Sequence, residues 1–436
     1  MVDYGSYIKN SPDPESATIR LENLLKDDFI RRHLEKMSVI NLQIFINLVS
    51  YSSFIYRFLC RYPDFVELAG NSFALDCSKL ESISDLDKLR LFKYEELFKI
   101  TWLDLLGKFS YKVILDRLSI LADSLIMKVM QIVSTGKDYP TYQRMPIPFC
   151  VFAMGKLGAN ELNYSSDIDL IFVCKDIDEY EGDYQAYQAG VIDQIRKFNK
   201  IMQEATEDGF FYRVDLKLRP WGRSGPLVLS VDETEHYYEA STEAWERFAW
   251  LRARILGGDK KLGEDLLQRL QPFIYLRSLS SDDLHRFIRI KNDMSKNREK
   301  RGNWNVKLGA GGIRDVEFFI QMLQIVNAHS HAGLKTQNTL ALLNKLVKLG
   351  FLSKEEGRNI NDSYLFLRRL ENRLQMLDEQ QTHQLPDDPV QRKKIACSLG
   401  YGPVYSENTL EIFEQHLARH RQTAGACFER ILPKES

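Results

Sequence analysis

Asp167, Asp169 and Asp215 are the residues through which this sequence could do chemistry. Asp167 and Asp169 stand two apart in SDIDLIFVC (166–174), a segment that alternates polar and apolar residues. Such a strand projects both carboxylates from one face and Ile168, Leu170 and Phe172 from the other, so one hard cation can be held by both oxygens. Asp215 lies in a second alternating segment, FFYRVDLKLR (210–219), where Arg213, Asp215, Lys217 and Arg219 share a face. Three converging carboxylates can hold two Mg²⁺ ions about 3.5–4 Å apart, an arrangement for in-line phosphoryl displacement. Mg²⁺ would keep waters and take its remaining ligands from substrate phosphates. Just upstream, PFCVFAM (148–154) reads as a buried strand ending in Gly155-Lys156-Leu157-Gly158. Glycines there let backbone N–H groups approach a phosphate, and Ser165 and Ser166 add hydroxyl donors before the carboxylates. A lone DxD is common surface chemistry, and GKLG lacks the ending of a Walker loop. The ordered set of strand, glycine turn, Ser-Ser-Asp-x-Asp strand, helix and polar-faced strand carries the signal.

The elements that must position these residues fall into three stretches. Residues 1–140 read as helical, with apolar repeats at Ile40, Ile44 and Leu48 and then Phe54, Phe58 and Leu59, and a stop at Pro63. The texture changes at Tyr139-Pro140-Thr141 and Pro146, and residues 141–280 read as a small mixed α/β unit. Its helix carries Ile192, Ile195, Phe198 and Met202 on one stripe. Residues 281–436 read as a helical bundle interrupted at Gly309–Gly312. In segment 364–377, Leu367, Leu370, Leu374 and Leu377 form the apolar stripe, with Arg368, Arg369, Glu371 and Arg373 expected around the rest. The fold class is α+β, predominantly α-helical, with a small mixed sheet between two helical regions.

Other polar features read less strongly. Arg252 and Arg254 in WERFAWLRARIL are expected on a solvated helix face. The basic stretch before KLGAGGIRDVEFF reads as a loop entering a helix rather than a nucleic-acid patch, with Arg314 and Glu317 near the cleft. His329 and His331 read as a loop pair. The sequence's 59 basic and 60 acidic residues leave a net charge of −1, which gives no global attraction to nucleic acid or an acidic membrane. Six scattered cysteines without a CxxC pair argue against a zinc site or a disulfide framework. Neither a signal peptide nor a run of about 18 apolar residues stands out, so the expected compartment is the cytoplasm. The end at CFERILPKES, inside a helical run, suggests a cut.

The motif G-x-L-G…S-S-D-I-D-L resembles the signature of polymerase-β-like nucleotidyltransferases. More narrowly, GKLGANELNYSSDIDLIF, YRVDLKLRPWGRSGPLVLS and WERFAWLRARIL resemble the bifunctional glutamine synthetase adenylyltransferase family. Further matches lie at 52–69, 307–321 and 364–388, so the resemblance covers nearly the whole chain; Leu103 stands where it leads one to expect a basic residue. Members resemble two fused copies of such a unit, one attaching AMP to a glutamine synthetase tyrosine and the other removing it. SGPLVLS and WERFA resemble the N-terminal, adenylyl-removing copy, whereas the adding copy tends toward SGxxGxLV and WExQAL. The resemblance implies phosphorolysis of adenylyl-tyrosine with release of ADP, with Mg²⁺ on Asp167, Asp169 and Asp215. Backbone around Gly155–Gly158 and the Ser166 hydroxyl would hold phosphate oxygens. Arg213, Lys217 and Arg219 are candidates for the incoming phosphate, weighed equally against simple pairing with neighbouring carboxylates. Implied partners are adenylylated glutamine synthetase and a uridylylated nitrogen-regulatory signal protein, with no nucleic acid or membrane. Three alternatives stay open: an adenylyltransferase using ATP, a regulatory binding module and an RNA-tailing enzyme, the last disfavoured by the net charge.

Overall fold

Short apolar and alternating segments build a five-stranded mixed sheet at the centre of the chain, and helices surround it. A computed structural model describes residues 3–70, 76–134, 147–240, 244–275, 288–289 and 304–430. The strands are β1 (Cys150–Ala153), β2 (Ile168–Cys174), β3 (Val214–Asp215), β4 (Val228–Ser230) and β5 (Arg254–Gly258). β1 pairs antiparallel with β2 and β5, and β2 pairs parallel with β3 and then β4 along its other edge.

Both faces of this sheet are covered, which is why β1 and β2 read as nearly continuous apolar runs. Ile168, Leu170 and Phe172 join Val151 and Ala153 in a core shared with helices Tyr111–Ser134 and Tyr184–Gln203. Ile171 and Val173 join Phe152 and Met154 in a second core with Tyr238, Trp250, Leu262 and Leu266. Asp169 sits on this second face, at the open end of β2, where the apolar cover gives way.

The alternation over 210–219 overstates the second strand. Only Val214 and Asp215 pair with β2. The chain then turns, because the Lys217 N–H donates to the Asp215 carboxylate at 2.8 Å and the Arg219 guanidinium donates to the carbonyls of Leu216, Gly225 and Pro226. WERFAWLRARIL also departs from the expected single helix. It is a helix (Ala244–Trp250) followed by the edge strand β5, which carries Arg254.

The N-terminal helices Pro14–Leu24, Asp28–Leu34, Val39–Tyr51 and Ser53–Arg61 close a core of their own around Leu21, Phe45 and Leu48. Ile44 and Leu48 are buried as the spacing predicts, while Ile40 at the helix start is exposed. Helix Leu86–Leu106 joins this core through Phe98 and Trp102 and the central core through Leu97, Ile100 and Leu103. Leu103, where a basic residue was expected, is fully buried. The central core runs from Tyr51 to Cys427 and so crosses both boundaries drawn from sequence texture. Among the described residues no single helix is long and apolar enough to cross a membrane. The helix pair Val39–Tyr51 and Ser53–Arg61 passes by length and composition only together, bends by 106°, and packs into the N-terminal core.

After the sheet come helices Ile313–Asn327, Thr339–Lys348, Lys354–Met376, Pro389–Ser398 and Asn408–Glu429. Ser353 and Glu356 form a capping box that starts the longest of these. Arg368, Glu371 and Arg373 on that helix are fully buried, not arrayed on its outside as the leucine stripe suggested. Arg373 forks onto Asp104 at 2.6 and 3.1 Å, and Lys156 reaches Glu371, so long-range partners make their burial tolerable. The turn at Tyr139–Pro146, the basic stretch 291–303 and residues 431–436 lie outside the described residues.

Candidate active site

Strand pairing brings the three aspartates together. In the parallel register Asp169 stands opposite Asp215, and Asp167 precedes β2 by one residue. Burial pushes the Asp169 carboxyl up to about 6; the like charges of Asp215 and Asp167 add to this, and Lys307 and Arg314 oppose it. The Asp169 carbonyl accepts from the Met154 N–H at 2.9 Å, which ties the aspartate to the end of β1. Gly155 follows with φ +56, and a Cβ there would lie 2.6 Å from Asp169 Oδ2. The glycine therefore leaves room for the carboxylate itself, a role different from the expected phosphate approach.

Several expected phosphate holders have other work in the fold. A Cβ on Gly158 would lie 1.9 Å from the Arg252 carbonyl oxygen, so this glycine serves helix-to-strand packing. Ser165 is buried, donates through Oγ to the Glu379 carbonyl at 2.8 Å, and has its N–H on Gln375. Ser166 is buried beside it. Arg213 donates to Asp167 at 2.7 Å and to Ser165 at 3.1 Å, and Lys217 donates to Asp215 at 2.5 Å. These two follow the carboxylate-pairing alternative. Arg219 is spent on the carbonyls of its own loop. Lys156 donates to both oxygens of Glu371, at 2.9 and 3.0 Å, while burial pulls its ammonium down to about 7 against the pull of Glu371.

A cavity of about 340 Å³ opens beside Asp169. Gly155, Lys156 and Asp169 form one wall, and Trp245, Phe248 and Phe318 form an aromatic wall. Phe248 stacks on Phe318 with centroids 5.0 Å apart and planes at 16°. Lys307 and Arg314, from the loop before helix Ile313–Asn327 and its first turn, complete the lining. Arg314 and Glu317 are thus near the cleft, as the sequence suggested. Lys307, Phe248 and Trp245 were missed. KLGAGG at 307–312 was the available signal for Lys307, since a glycine-rich turn entering a helix is where a chain can meet a ligand.

An ionic network of buried side chains adjoins the cavity, and Arg252 and Glu317 of that network also line it. Arg252, expected on a solvated face, is buried and pairs with Glu317 at 3.2 Å while donating to Thr339 at 2.9 Å. Burial alone would raise the Glu317 carboxyl, but Arg252, Arg314 and Arg368 outweigh it and bring it down to about 2. Glu161 accepts from the Thr339 N–H at 2.7 Å and from the Tyr364 hydroxyl at 2.8 Å. Arg254 on β5 pairs with Asp123 at 2.9 Å and donates to the Leu157 carbonyl. His331 bonds to its loop neighbour Ser330 and to the carbonyl of Asn327 at the preceding helix end, in keeping with a loop histidine.

Asp169 lines the cavity and is crowded by the like charges of Asp215 and Asp167, a repulsion that a divalent cation at Asp169 would relieve. Among the described residues, no three His, Cys, Asp or Glu side chains are gathered closely enough to form a metal cage from protein alone. An ion there would have to draw part of its shell from water or a phosphate.

Comparison with known proteins adds a family. The model of glutamate-ammonia ligase adenylyltransferase matches residues 42–269, just over half of the chain, and the model of GlnD PII-uridylyltransferase matches residues 286–432. A bifunctional glutamine synthetase adenylyltransferase/adenylyl-removing enzyme of Idiomarina loihiensis is 32% identical over 421 residues, covering 90% of this chain and 44% of that protein. The enzyme of the same name from Psychromonas ingrahamii is 36% identical over 328 residues, covering 72% of this chain and 34% of that protein. The chain therefore spans less than half the length of these curated relatives.

Proposed function

This chain belongs to the glutamate-ammonia ligase adenylyltransferase family, and we propose that it removes the adenylyl group from a glutamine synthetase tyrosine by phosphorolysis. The observation that carries this reading is the register pairing of Asp169 with Asp215, Asp169 itself lining a cavity walled by aromatic rings and cations. That cavity suits an adenine nucleotide: rings give the base a stacking face, and the acidic edge meets the phosphate end. The removing direction is supported by SGPLVLS and WERFA in this sequence.

In this reaction an oxygen of inorganic phosphate forms a bond to the adenylyl phosphorus, and the bond from phosphorus to the tyrosyl oxygen breaks. ADP and a tyrosine phenolate result, and the phenolate takes a proton from solvent at its ordinary pKa near 10, so a strong general acid is not required. Asp167, Asp169 and Asp215 would hold Mg²⁺, which when bound supplies charge neutralisation at the reacting phosphorus. Gly155 keeps the Asp169 carboxylate in place, and Arg213 and Lys217 orient Asp167 and Asp215 through their ion pairs. The helical region matching the GlnD PII-uridylyltransferase model supports a regulatory contact there with a nitrogen-signalling protein.

The test is to mix the chain with adenylylated glutamine synthetase, Mg²⁺ and phosphate. Phosphate-dependent ADP is expected, and Asp169→Asn should lower its rate on the order of 10²–10³-fold with the thermal unfolding curve retained. Retained activity in Asp169→Asn would sink the carboxylate assignment. AMP transfer from ATP to the unmodified enzyme, with no ADP formed, would reverse the direction.

A further inference from the structure

The cations around the cavity are not equivalent. Arg213 is held by Asp167, Lys217 by Asp215, Lys156 by Glu371 and Arg252 by Glu317. Lys307, by contrast, lines the cavity without an ion pair or side-chain hydrogen bond among the described residues. Among the described residues Arg314 pairs only through Nη1, with Glu317 Oε2 at 3.3 Å, and its Nε is buried without a hydrogen-bond partner. Glu317 is already shared with Arg252 and Tyr364, so it cannot neutralise both.

The backbone pins these two cations side by side. The Arg314 N–H donates to the Lys307 carbonyl at 3.0 Å, and the Lys307 N–H donates to the Asn305 side chain at 3.0 Å. Gly311, at φ +71, makes the turn, and a Cβ there would lie 2.4 Å from the Arg421 carbonyl oxygen. Both side chains are half-buried, and the Arg314 charge acts against that of Lys307 while the nearby Glu371, Glu317 and Asp169 only partly offset it, so an anion entering the cavity would be drawn to the pair.

We infer that Lys307 and Arg314 are an anion cradle that holds phosphoryl oxygens against the Asp169 side of the cavity. The cradle takes the place of the strand-face cations Arg213, Lys217 and Arg219, which the fold itself employs. The inference rests on the phosphoryl-transfer reading of the aspartates. Inorganic phosphate and the phosphates of a nucleotide share the chemistry the cradle recognises, and the two are separable by measurement.

The experiment uses the chain as it stands, with Lys307→Met, Lys307→Arg and Arg314→Met variants checked for folding by circular dichroism. Calorimetry gives the Kd for ADP, and the phosphorolysis assay gives the KM for phosphate and kcat. Loss of one charge-assisted contact should weaken phosphate or ADP about ten- to a hundred-fold in Lys307→Met. Lys307→Arg should recover most of this, and the KM for the adenylylated protein should stay put. A change in the phosphate KM alone assigns the cradle to the attacking phosphate, and a change in the ADP Kd alone assigns it to the nucleotide. Both constants within twofold of the parent in Lys307→Met and Arg314→Met would overturn the inference. If the parent forms no ADP in the assay, the binding arm still decides: Lys307-dependent ADP binding keeps the cradle while the proposed reaction falls, and Lys307-independent or absent binding removes the cradle.

Discussion

Two clusters of carboxylates and cations, one containing Lys156 and the other containing Asp169, behave in opposite ways. In the inner cluster Glu161, Glu317 and Glu371 are matched to Arg252, Arg368 and Lys156, and every carboxylate is buried and bonded. In the outer cluster Asp167 and Asp215 have their cations, but Asp169 stands between them without an ion pair among the described residues. The result is visible in the two key groups: Glu317 is held down to about 2, and Asp169 is pushed up to about 6. Burial raises both; the partners decide the sign. Matched charges in the interior are architecture, whereas like charges crowded beside a cavity are the arrangement that the proposed cation and substrate would relieve.

Removing one inner charge has the largest expected effect. Glu371→Leu leaves Lys156 and Arg368 buried without their shared carboxylate. We expect a loss of about 3–5 kcal/mol in denaturant midpoint measurements. A loss below about 1 kcal/mol would mean the inner cluster is not architectural.

Acid should find the inner cluster next. The Glu317 carboxyl is depressed in the fold, so its stabilisation is present above its unfolded value near 4.5 and drains away as pH falls toward about 2. Glu317 contributes on the order of 3 kcal/mol over that window. Unfolding midpoints between pH 5 and 2.5 should fall less steeply in Glu317→Gln, which starts from a lower stability at neutral pH. Equal slopes would contradict the role given to Arg252.

The smallest effect in free energy tests the outer cluster. Gly155→Ala places a Cβ 2.6 Å from Asp169 Oδ2 at a residue with φ +56. The carboxylate is the far end of a side chain and can yield, so stability should fall by only about 1 kcal/mol. Turnover should drop roughly ten- to a hundred-fold, about 1.4–2.8 kcal/mol, because a displaced catalytic group loses its geometry. Unchanged turnover would separate Gly155 from the site.

These contrasts show how far the sequence reaches. It singled out Asp167, Asp169 and Asp215 by their spacing and alternation, and the strand pairing then sets Asp169 opposite Asp215, with Asp167 just before the strand. It determined the helical majority and the small sheet through periodicity, and the family through long motifs. It could not tell that the strand around Asp215 stops after two residues, since Arg219 turns the chain by bonding carbonyls six and seven residues ahead. Nor could it tell Arg368 and Glu371 from solvated helix residues: charges at these positions look alike until partners more than 200 residues away neutralise them. The cavity wall belongs to the tertiary structure for the same reason. Lys307, Phe248 and Asp169 are distant in sequence, and only the docking of helix Ile313–Asn327 through Phe318 on Phe248 and Glu317 on Arg252 decides that an ammonium, an aromatic ring and a carboxylate share one space.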